Sequence, residues 1–504
     1  MPESKTDKIM NIATKRGFFF PSGEIYNSKA GFWTYGHLGT LLKHKFENLW
    51  RNYFLNLNEN YYEIEDVNIL AKEVFKSSGH LEHFSDPLTE CKKCHFRFRA
   101  DELIEDETGL NVQGLKEDEL NKIIKENKLK CPKCGSDLDN VKFFNMMFDL
   151  KVGATGEEVM YLRPETAQSP FLAFKREFFA LRERLPLGLA VIGKAFRNEI
   201  SPRQGFFRLR EFTQAELQIF FDPEKINECQ QWNEIKNYKL ILLLNEKKKN
   251  EEISCNDLNK KLRLPKFYIY HLAKIQQFYL ETLKIQKDKF RFRELSEKEK
   301  AFYNKIHFDI ELNLETLGGW KECAGCHYRG EHDLSKHQKG SGEKLEVNIT
   351  ENGKIKKLIP NVLELSFGVD RNIWALLDLF FKEEKERQMF SLPFNLVPFE
   401  AAVFPLVDKD NLPEKALEIY NLIKENFKVF FDNKGSIGKM YRRVDEIGVP
   451  AMITIDHQTL KDKSITLRNR NDMKQIRVKI NELNGIIKEF LNGKDLKKLG
   501  KIIN

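Results

Sequence analysis

Cysteine is scarce, with eight residues among 504, too few for a disulfide scaffold in a chain of this length. Long apolar runs are missing: none approaches the roughly 18 residues a membrane span needs, so no membrane partner is expected. The N-terminal stretch MPESKTDKIMNIATKRGFFF lacks a continuous apolar segment followed by small residues. That argues against a signal peptide and for a cytoplasmic location. No period of 20 to 50 residues recurs, which excludes a solenoid. Neither sign of charge dominates: 83 basic against 75 acidic residues leave a net charge of +8, compatible with a polyanionic partner and equally with none. KGSIGKMYRR offers Gly435, Gly438 and Lys439 but lacks the G-x-x-x-x-G-K-[ST] spacing of a phosphate-binding loop. No Ser-His-Asp set stands out.

The length exceeds what one hydrophobic core supports, so two or more domains are expected. HLGTLLKHKFENLWRNYFL reads as a helix with Leu38, Leu42, Phe46, Leu49 and Tyr53 at spacings of three and four. Strands alternate from 143 to 220 with a helix that begins near Thr166, whereas the Lys- and Glu-rich segment 222–300 reads as a helical insertion. IHFDIELNLET alternates as a strand does. VLELSFGVDRNIWALLDLFFKE reads as a strand running into a helix capped by Asp370. SLPFNLVPFE, with two prolines, marks a boundary near 391. Beyond it, strands at EAAVFPLV, KVFFD, PAMITID and SITLRNR alternate with helices at 412–427, at about 436–447 and at the C-terminal end. That pattern suits a separate α/β domain.

The stretch FRNEISPRQGFFRLREFTQAE, residues 196–216, concentrates Arg197, Glu199, Arg203, Arg208, Arg210, Glu211 and Glu216 among aromatic rings. Alternation from Phe206 puts Phe207, Leu209, Thr213, Ala215, Leu217 and Ile219 on a core face, with Glu211 the exception. Arg208, Arg210, Phe212, Gln214, Glu216 and Gln218 fall on the other face. On the preceding run, Arg197 and Glu199 share a face with Val191, Gly193 and Ala195. Joined through Ser201–Gly205, the two runs show arginine forks beside a flat ring, a combination that suits a nucleoside phosphate. A solvated hairpin with incidental ion pairs is the alternative. Glu364 and Ser366 share a strand face, and Arg371 falls in the first helical turn. A cation there calls for an anion, which a phosphate or Asp370 supplies. Glu165 sits where a strand gives way to a helix, and Glu322 follows Gly-Gly-Trp in a tight loop.

FRNE followed by a loop and RLREF resembles the second signature motif of the class II aminoacyl-tRNA synthetases. GVDR resembles the third, and GFWTYGHLGTLLKHKFENLW the first, which forms the dimer interface in that class. RPETAQ, GWKECAGC and VLELSFGVDR are similar to the glycyl-tRNA synthetases of the homodimeric kind, and SIGKMYRRVDEIGVP to an anticodon-binding segment. The resemblance implies an α/β chain with an α+β catalytic core, an antiparallel sheet flanked by helices. It places the catalytic domain at 1–390, with a zinc-ribbon-like insertion at about 88–142 and a helical one at 222–300. A mixed α/β anticodon-binding domain would occupy 391–504. It further implies a homodimer that acts on glycine, ATP and the tRNA for glycine.

By the same resemblance Arg197, Arg208 and Arg371 are the catalytic residues: Arg197 holds the α-phosphate of a bent ATP, Arg208 and Arg371 the γ-phosphate. Phe212 stacks on adenine near Glu199, and Asn198, Phe207, Leu209, Arg210, Glu211, Glu322, Cys323 and Gly368 complete the nucleotide site. Glu322 is the candidate magnesium ligand. Glu165, Glu216, Glu364 and Ser366, with Phe212 and Arg99, surround the amino acid, and Arg329 matches a family arginine without an assigned role. Glycine has no side chain to grip, so a small acidic pocket must select it by exclusion and through its ammonium group. The implied chemistry is adenylation followed by acyl transfer, which needs positioned positive charge more than a proton-transferring side chain. A synthetase for histidine, proline or threonine, and a non-catalytic nucleic-acid-binding accessory subunit, are the alternatives.

Cys91-x-x-Cys94 and Cys131-x-x-Cys134 lie in knuckle-like contexts, CKKCHFRF and CPKCGSD. Four thiolates hold a structural zinc tetrahedrally and leave no open position for catalysis; four unrelated thiols are the alternative. Cys323 and Cys326 have the spacing but no second pair. They are either free or, with His327, His332 and His337 nearby, part of a second metal site. Lys439, Arg442 and Arg443 suit an RNA backbone or a solvated helix face, and the 222–300 insertion suits an acceptor arm or plain solvent.

Overall fold

The structure is a computed structural model that describes residues 3–112, 114–202, 205–245, 247–296, 299, 304–351 and 353–503; Arg203 lies outside them. Among these residues nine strands form the main sheet. They are β1 (Tyr61–Glu63), β2 (Leu187–Phe196), β3 (Glu211–Phe221), β4 (Lys239–Leu243), β5 (Glu251–Ser254), β6 (Phe290–Glu294), β7 (Ile306–Leu314), β8 (Gly319–Gly330) and β9 (Asn361–Gly368). Their order is β5-β4-β6-β7-β8-β9-β3-β2-β1. Every pairing from β6 across to β2 is antiparallel.

The odd residues of β3, Ala215, Leu217 and Ile219, are fully buried in the main core. Behind the sheet lie α1 (His37–Phe54) and α3 (Val369–Phe380). Phe54 and Trp50 of α1 pack on Phe367 of β9, with ring centroids 5.0 and 6.0 Å apart. The buried stripe of α1 is Leu38, Leu42, Phe46, Trp50 and Phe54, a strict spacing of four; Leu49 and Tyr53, expected in the stripe, are half-buried at its edge. On the opposite face of the sheet, α2 (Gln168–Ala180) closes one end through Phe171, Phe174 and Phe178. Gln214, Glu216 and Gln218 lie between that end and the rim, and all three are buried.

Two expectations need correction. Segment 222–300 does carry helices, the longest at Lys266–Gln277, but β4, β5 and β6 also lie within it and widen the main sheet. Phe290-Arg-Phe-Arg alternates as a strand should, a signal masked by flanking Lys and Glu. Asp370 is not the cap of α3, because Gly368 holds that place. Two residues further in, Asp370 accepts the backbone N–H of Thr213 and the hydroxyl of Tyr35.

Residues 85–145 form a small three-stranded sheet, with strands at Arg97–Arg99, Ser85–Glu90 and Lys142–Asn145 in that order. Helices Ala100–Thr108 and Glu117–Glu126 cover it over a core of Phe98, Leu103, Ile104, Leu120 and Val141. The C-terminal segment has a six-stranded mixed sheet of its own and helices at Leu412–Ile423, Ile437–Ile447 and Leu483–Leu491. Its core includes Val403, Ile419, Ile453, Leu467 and Ile487. The short strands Gln475–Lys479 and Lys501–Ile503 were not expected. Arg470 ties this segment to the rest, donating to the carbonyls of Phe390 (3.3 Å), Gly448 (2.6 Å) and Leu392 (2.9 Å). Among the described residues no helix is long and apolar enough to cross a membrane.

Candidate active site

Strand register builds the site. Gly325 of β8, Ser366 of β9, Glu216 of β3 and Val191 of β2 stand side by side in one row. His327, Glu364, Gln218 and Leu189 form the next row. Residues two apart share a face, so Ser366 and Glu216 of the first row, His327 and Glu364 of the second, and Phe212 open into one cavity. Its wall includes Arg197, Glu199, Phe207, Arg208, Leu209, Phe212, Glu322, Gly368 and Arg371 of the expected nucleotide set. Glu165, Glu216, Glu364 and Ser366 of the expected amino-acid set line it too. Arginines far apart in the chain therefore converge beside buried carboxylates.

Five expected residues lie outside that wall. Arg210 turns away and donates to the carbonyls of Glu199 and Ala30. Glu211 pairs with Lys194 at 3.2 Å. The backbone N–H of Asn198 bonds to the carbonyl of Met146, and Cys323 is buried in the core. Arg99 stays in the small insertion with Asp86 and Asp101. For Arg210 the cause is local: β3 begins at Glu211, so an alternation counted from Phe206 does not reach it, nor Arg208, which lines the wall all the same. Those two follow a single helical turn at Gly205–Phe207.

At the wide end the Arg197 guanidinium lies 5.3 Å from the Phe212 ring centroid and 5.4 Å from that of Phe84. Arg208 bridges Glu199 (2.7 Å) and Glu102 of the insertion (2.5 Å). Arg371 meets Glu322 at 3.0 Å, with its guanidinium 5.4 Å from the Phe207 ring. Desolvation in the cavity would raise the half-exposed Glu322 carboxyl, but Arg371, His307 and Arg197 hold it below its ordinary range. An anionic ligand here finds three arginines, two of them held by exchangeable carboxylates.

The narrow end is acidic and tightly bonded. One oxygen of Glu216 accepts from Ser366 Oγ (2.6 Å) and Gln214 Nε2 (2.9 Å), the other from Thr166 Oγ1 (2.7 Å). Burial, together with neighbouring Glu364 and Glu165, pushes the Glu216 carboxyl up to about 7. Glu364 accepts from His327 Nδ1 on one oxygen. Gln218 Nε2 (2.7 Å) and Arg329 (3.0 Å) donate to the other. Burial works against its charge, yet Arg329 and His327 hold it below its usual value. Glu165 accepts from Gln168 Nε2 (2.8 Å), with His80 Nε2 at 3.5 Å and Arg329 at 3.9 Å. Against the same burial, His80 and Arg329 hold it well below the ordinary carboxylate range.

Arg329, without a role at the outset, is the buried hub beneath the pocket and also grips Asp333 through two bonds of 2.7 and 2.8 Å. Residue pattern pointed to His327 only as a metal candidate, yet it lines the cavity. Its alternation with Gly325 and Arg329 was the available signal. His80 lies in a helix remote in the chain, and nothing local announces it.

The four cysteines of the insertion come together, with all sulfurs within 4.8 Å of one another. The backbone turns at the two pairs match. Cys91 N–H bonds to Phe96 O and Cys131 N–H to Ser136 O, both at 2.9 Å, while the N–H groups of His95 and Gly135 return to the two cysteine carbonyls. Both turns require a left-handed residue, His95 at φ 53° and Gly135 at φ 71°. The sulfur pairs Cys91–Cys134 and Cys94–Cys131 are 3.4 and 3.7 Å apart. A tetrahedral ion at about 2.3 Å from each sulfur sets them roughly 3.8 Å apart, so the donors fit zinc. Cys323 and Cys326 are buried in the main core, and the four-cysteine cluster is the one group of three or more Cys, His, Asp or Glu side chains among the described residues placed closely enough to hold a metal.

Comparison with known proteins agrees with this geometry. The tRNA synthetase class II core domain (G, H, P, S and T) matches residues 148–380, and an anticodon binding domain matches residues 400–490. The fold is that of a class II aminoacyl-tRNA synthetase. The glycine–tRNA ligase of Pyrococcus horikoshii is 38% identical over 569 aligned positions, covering 97% of this chain and 99% of that protein. That of Methanothermobacter thermautotrophicus is 38% identical, covering 95% and 97%. The chain belongs to the glycine–tRNA ligase family. Its fold is shared by the crystal structure of prolyl-tRNA synthetase from Cryptosporidium parvum with L-proline and AMP, at a TM-score of 0.59 and 12% identity, over 98% of this chain and 77% of that one.

Proposed function

We propose that this chain uses ATP to ligate glycine to its tRNA through a glycyl-adenylate formed in the cavity on the main sheet. The observation that carries the reading is the union of Arg197, Phe212 and Arg371 with Glu165, Glu216, Glu364 and Ser366 in one wall. The adenine stacks on Phe212 near Glu199. Arg197 takes the α-phosphate, and Arg208 and Arg371 take the γ-phosphate by exchanging the carboxylates they now hold. The buried acids receive the glycine ammonium. Its carboxylate then attacks the α-phosphorus in line and pyrophosphate leaves. In the second step the terminal ribose hydroxyl of the tRNA attacks the carbonyl of the mixed anhydride and AMP departs. The positioned arginines stabilise charge as it develops, so no side chain need act as nucleophile.

Glu322, ionised and facing the cavity, would hold magnesium, an ion that neutralises phosphate charge when bound. Cys91, Cys94, Cys131 and Cys134 would hold a structural zinc that clamps the small insertion. We place the catalytic domain at 1–390 and the anticodon-binding domain at 391–504, a division supported by the six-stranded sheet and the second hydrophobic core of the C-terminal segment. We further propose a cytoplasmic homodimer formed through the segment of the first motif, GFWTYGHLGTLLKHKFENLW.

The test is exchange of pyrophosphate into ATP, run with each amino acid in turn. Glycine alone should drive it. Exchange driven by histidine, proline or threonine overturns glycine, and no exchange at all overturns the enzyme in favour of an accessory subunit.

A further inference from the structure

We infer that His327 is a positioning and specificity-determining residue of the amino-acid pocket: its imidazole walls the pocket on the β8 side and fixes the Glu364 carboxylate. This rests on the reading of the narrow end as the glycine site.

Three observations carry it. His327 stands opposite Glu364 in the strand register, and its Nδ1 donates to a Glu364 oxygen. Gln218 and Arg329 engage the other oxygen, so the carboxylate is held from three sides and cannot swing. The imidazole also lies over Gly325, because a Cβ built on that residue would meet His327 Nε2 at 2.3 Å and Cε1 at 2.8 Å. Gly325 sits in the same row as Ser366 and Glu216. The ring thus occupies the space beside those two residues that any substrate side chain directed toward β8 would need. Glycine at 325 is what lets it lie there.

The groups around the ring keep it in this role. Glu364 faces it from β9, Arg329 lies on its own strand, and His307 of β7 packs on it with centroids 4.1 Å apart. His307 is itself held by Asp309 at 3.0 Å. Burial opposes a charge on His327, but Glu364 and Asp309 outweigh it and raise its titration above the ordinary histidine value. The protonated ring therefore grips Glu364 at neutral pH and weakens its hold as pH rises.

The experiment measures pyrophosphate exchange driven by glycine, alanine and serine between pH 6 and 9. His327→Ala should raise the glycine KM at least tenfold with a smaller change in kcat. It should also reduce the preference for glycine over alanine at least tenfold, of the order that one methylene contributes in a pocket. His327→Asn, which can donate to Glu364 but cannot titrate, should recover most of the glycine KM and lose the alkaline fall in affinity. Gly325→Ala pushes the ring off Glu364 while adding a methyl to the wall, so it should raise the glycine KM without admitting alanine. A His327→Ala enzyme with wild-type glycine KM and wild-type rejection of alanine overturns the inference. If wild type shows no glycine-driven exchange, the reading of the pocket fails instead. Should His327→Ala not fold, the Asn and Gly325→Ala variants decide alone, and wild-type KM and pH profiles in both refute it.

Discussion

Glu216 lies at the centre of the acidic end, hydrogen-bonded by Ser366, Gln214 and Thr166 and crowded by two other carboxylates. Its carboxyl is pushed up to about 7, against about 4.3 for an ordinary glutamate. Ionising it in the empty pocket therefore costs roughly 3.5 kcal/mol, at about 1.4 kcal/mol for each tenfold change in the proton equilibrium. The folded chain takes up this proton more readily than the unfolded one, so the penalty is absent below about pH 4.5, grows up to about pH 7 and is constant above. A substrate ammonium needs the ionised form and offsets the penalty. The kcat/KM for glycine should then follow the ionised fraction, about one-tenth at pH 6, half at pH 7 and nine-tenths at pH 8. Pyrophosphate exchange at saturating ATP should rise about fivefold from pH 6 to 7 and less than twofold from 7 to 8. Glu216→Gln should remove this acid limb and lower kcat/KM by about a hundredfold, as expected for a lost charge-assisted bond. It should also raise the melting temperature of the empty enzyme at pH 8 and leave it unchanged at pH 5. An acid limb that survives in Glu216→Gln would refute the reasoning, as would a flat wild-type profile between pH 6 and 8.

Arg371→Ala should cost a hundredfold to a thousandfold in ATP–pyrophosphate exchange, because it strips the proposed γ-phosphate partner and leaves Glu322 without its cation; exchange kinetics at varied ATP check this. Arg329→Met should destabilise the fold by about 3–5 kcal/mol, since Glu364 and Asp333 lose a buried partner; a denaturant titration measures it. Metal analysis of the purified chain should return about one equivalent of zinc. A strong chelator, or Cys131→Ser, should open the 85–145 segment to proteolysis while the sheet that carries the site survives.

The separation into local and long-range information follows particular residues. Arg197 and Phe212 flank one hairpin, so period-two alternation was enough to place both on the face that lines the cavity. Ile306–Leu314 and the strand-to-helix junction at Gly368 were legible for the same reason. The two cysteine pairs announced their cluster through spacing and knuckle context. Counting failed where the chain leaves a strand, at Arg210, which turns away from the cavity, because alternation holds only while the backbone is extended. It failed again in the 222–300 segment, where abundant Lys and Glu concealed three strands that pair with one another and, through β6, with β7.

What the linear pattern could supply was the chemistry on hand: arginines, a ring, three acids and four thiols, each set beside the turns that present it. Which acid is left near its titration point and which is held charged was decided only by folding. Glu216 meets hydroxyls and two carboxylates, while Glu364 and Glu165 meet Arg329, His327 and His80. Those partners arrive from other strands and helices. A carboxylate's charge depends on burial and on neighbours a few ångströms away in space, and neither quantity is a function of distance along the chain.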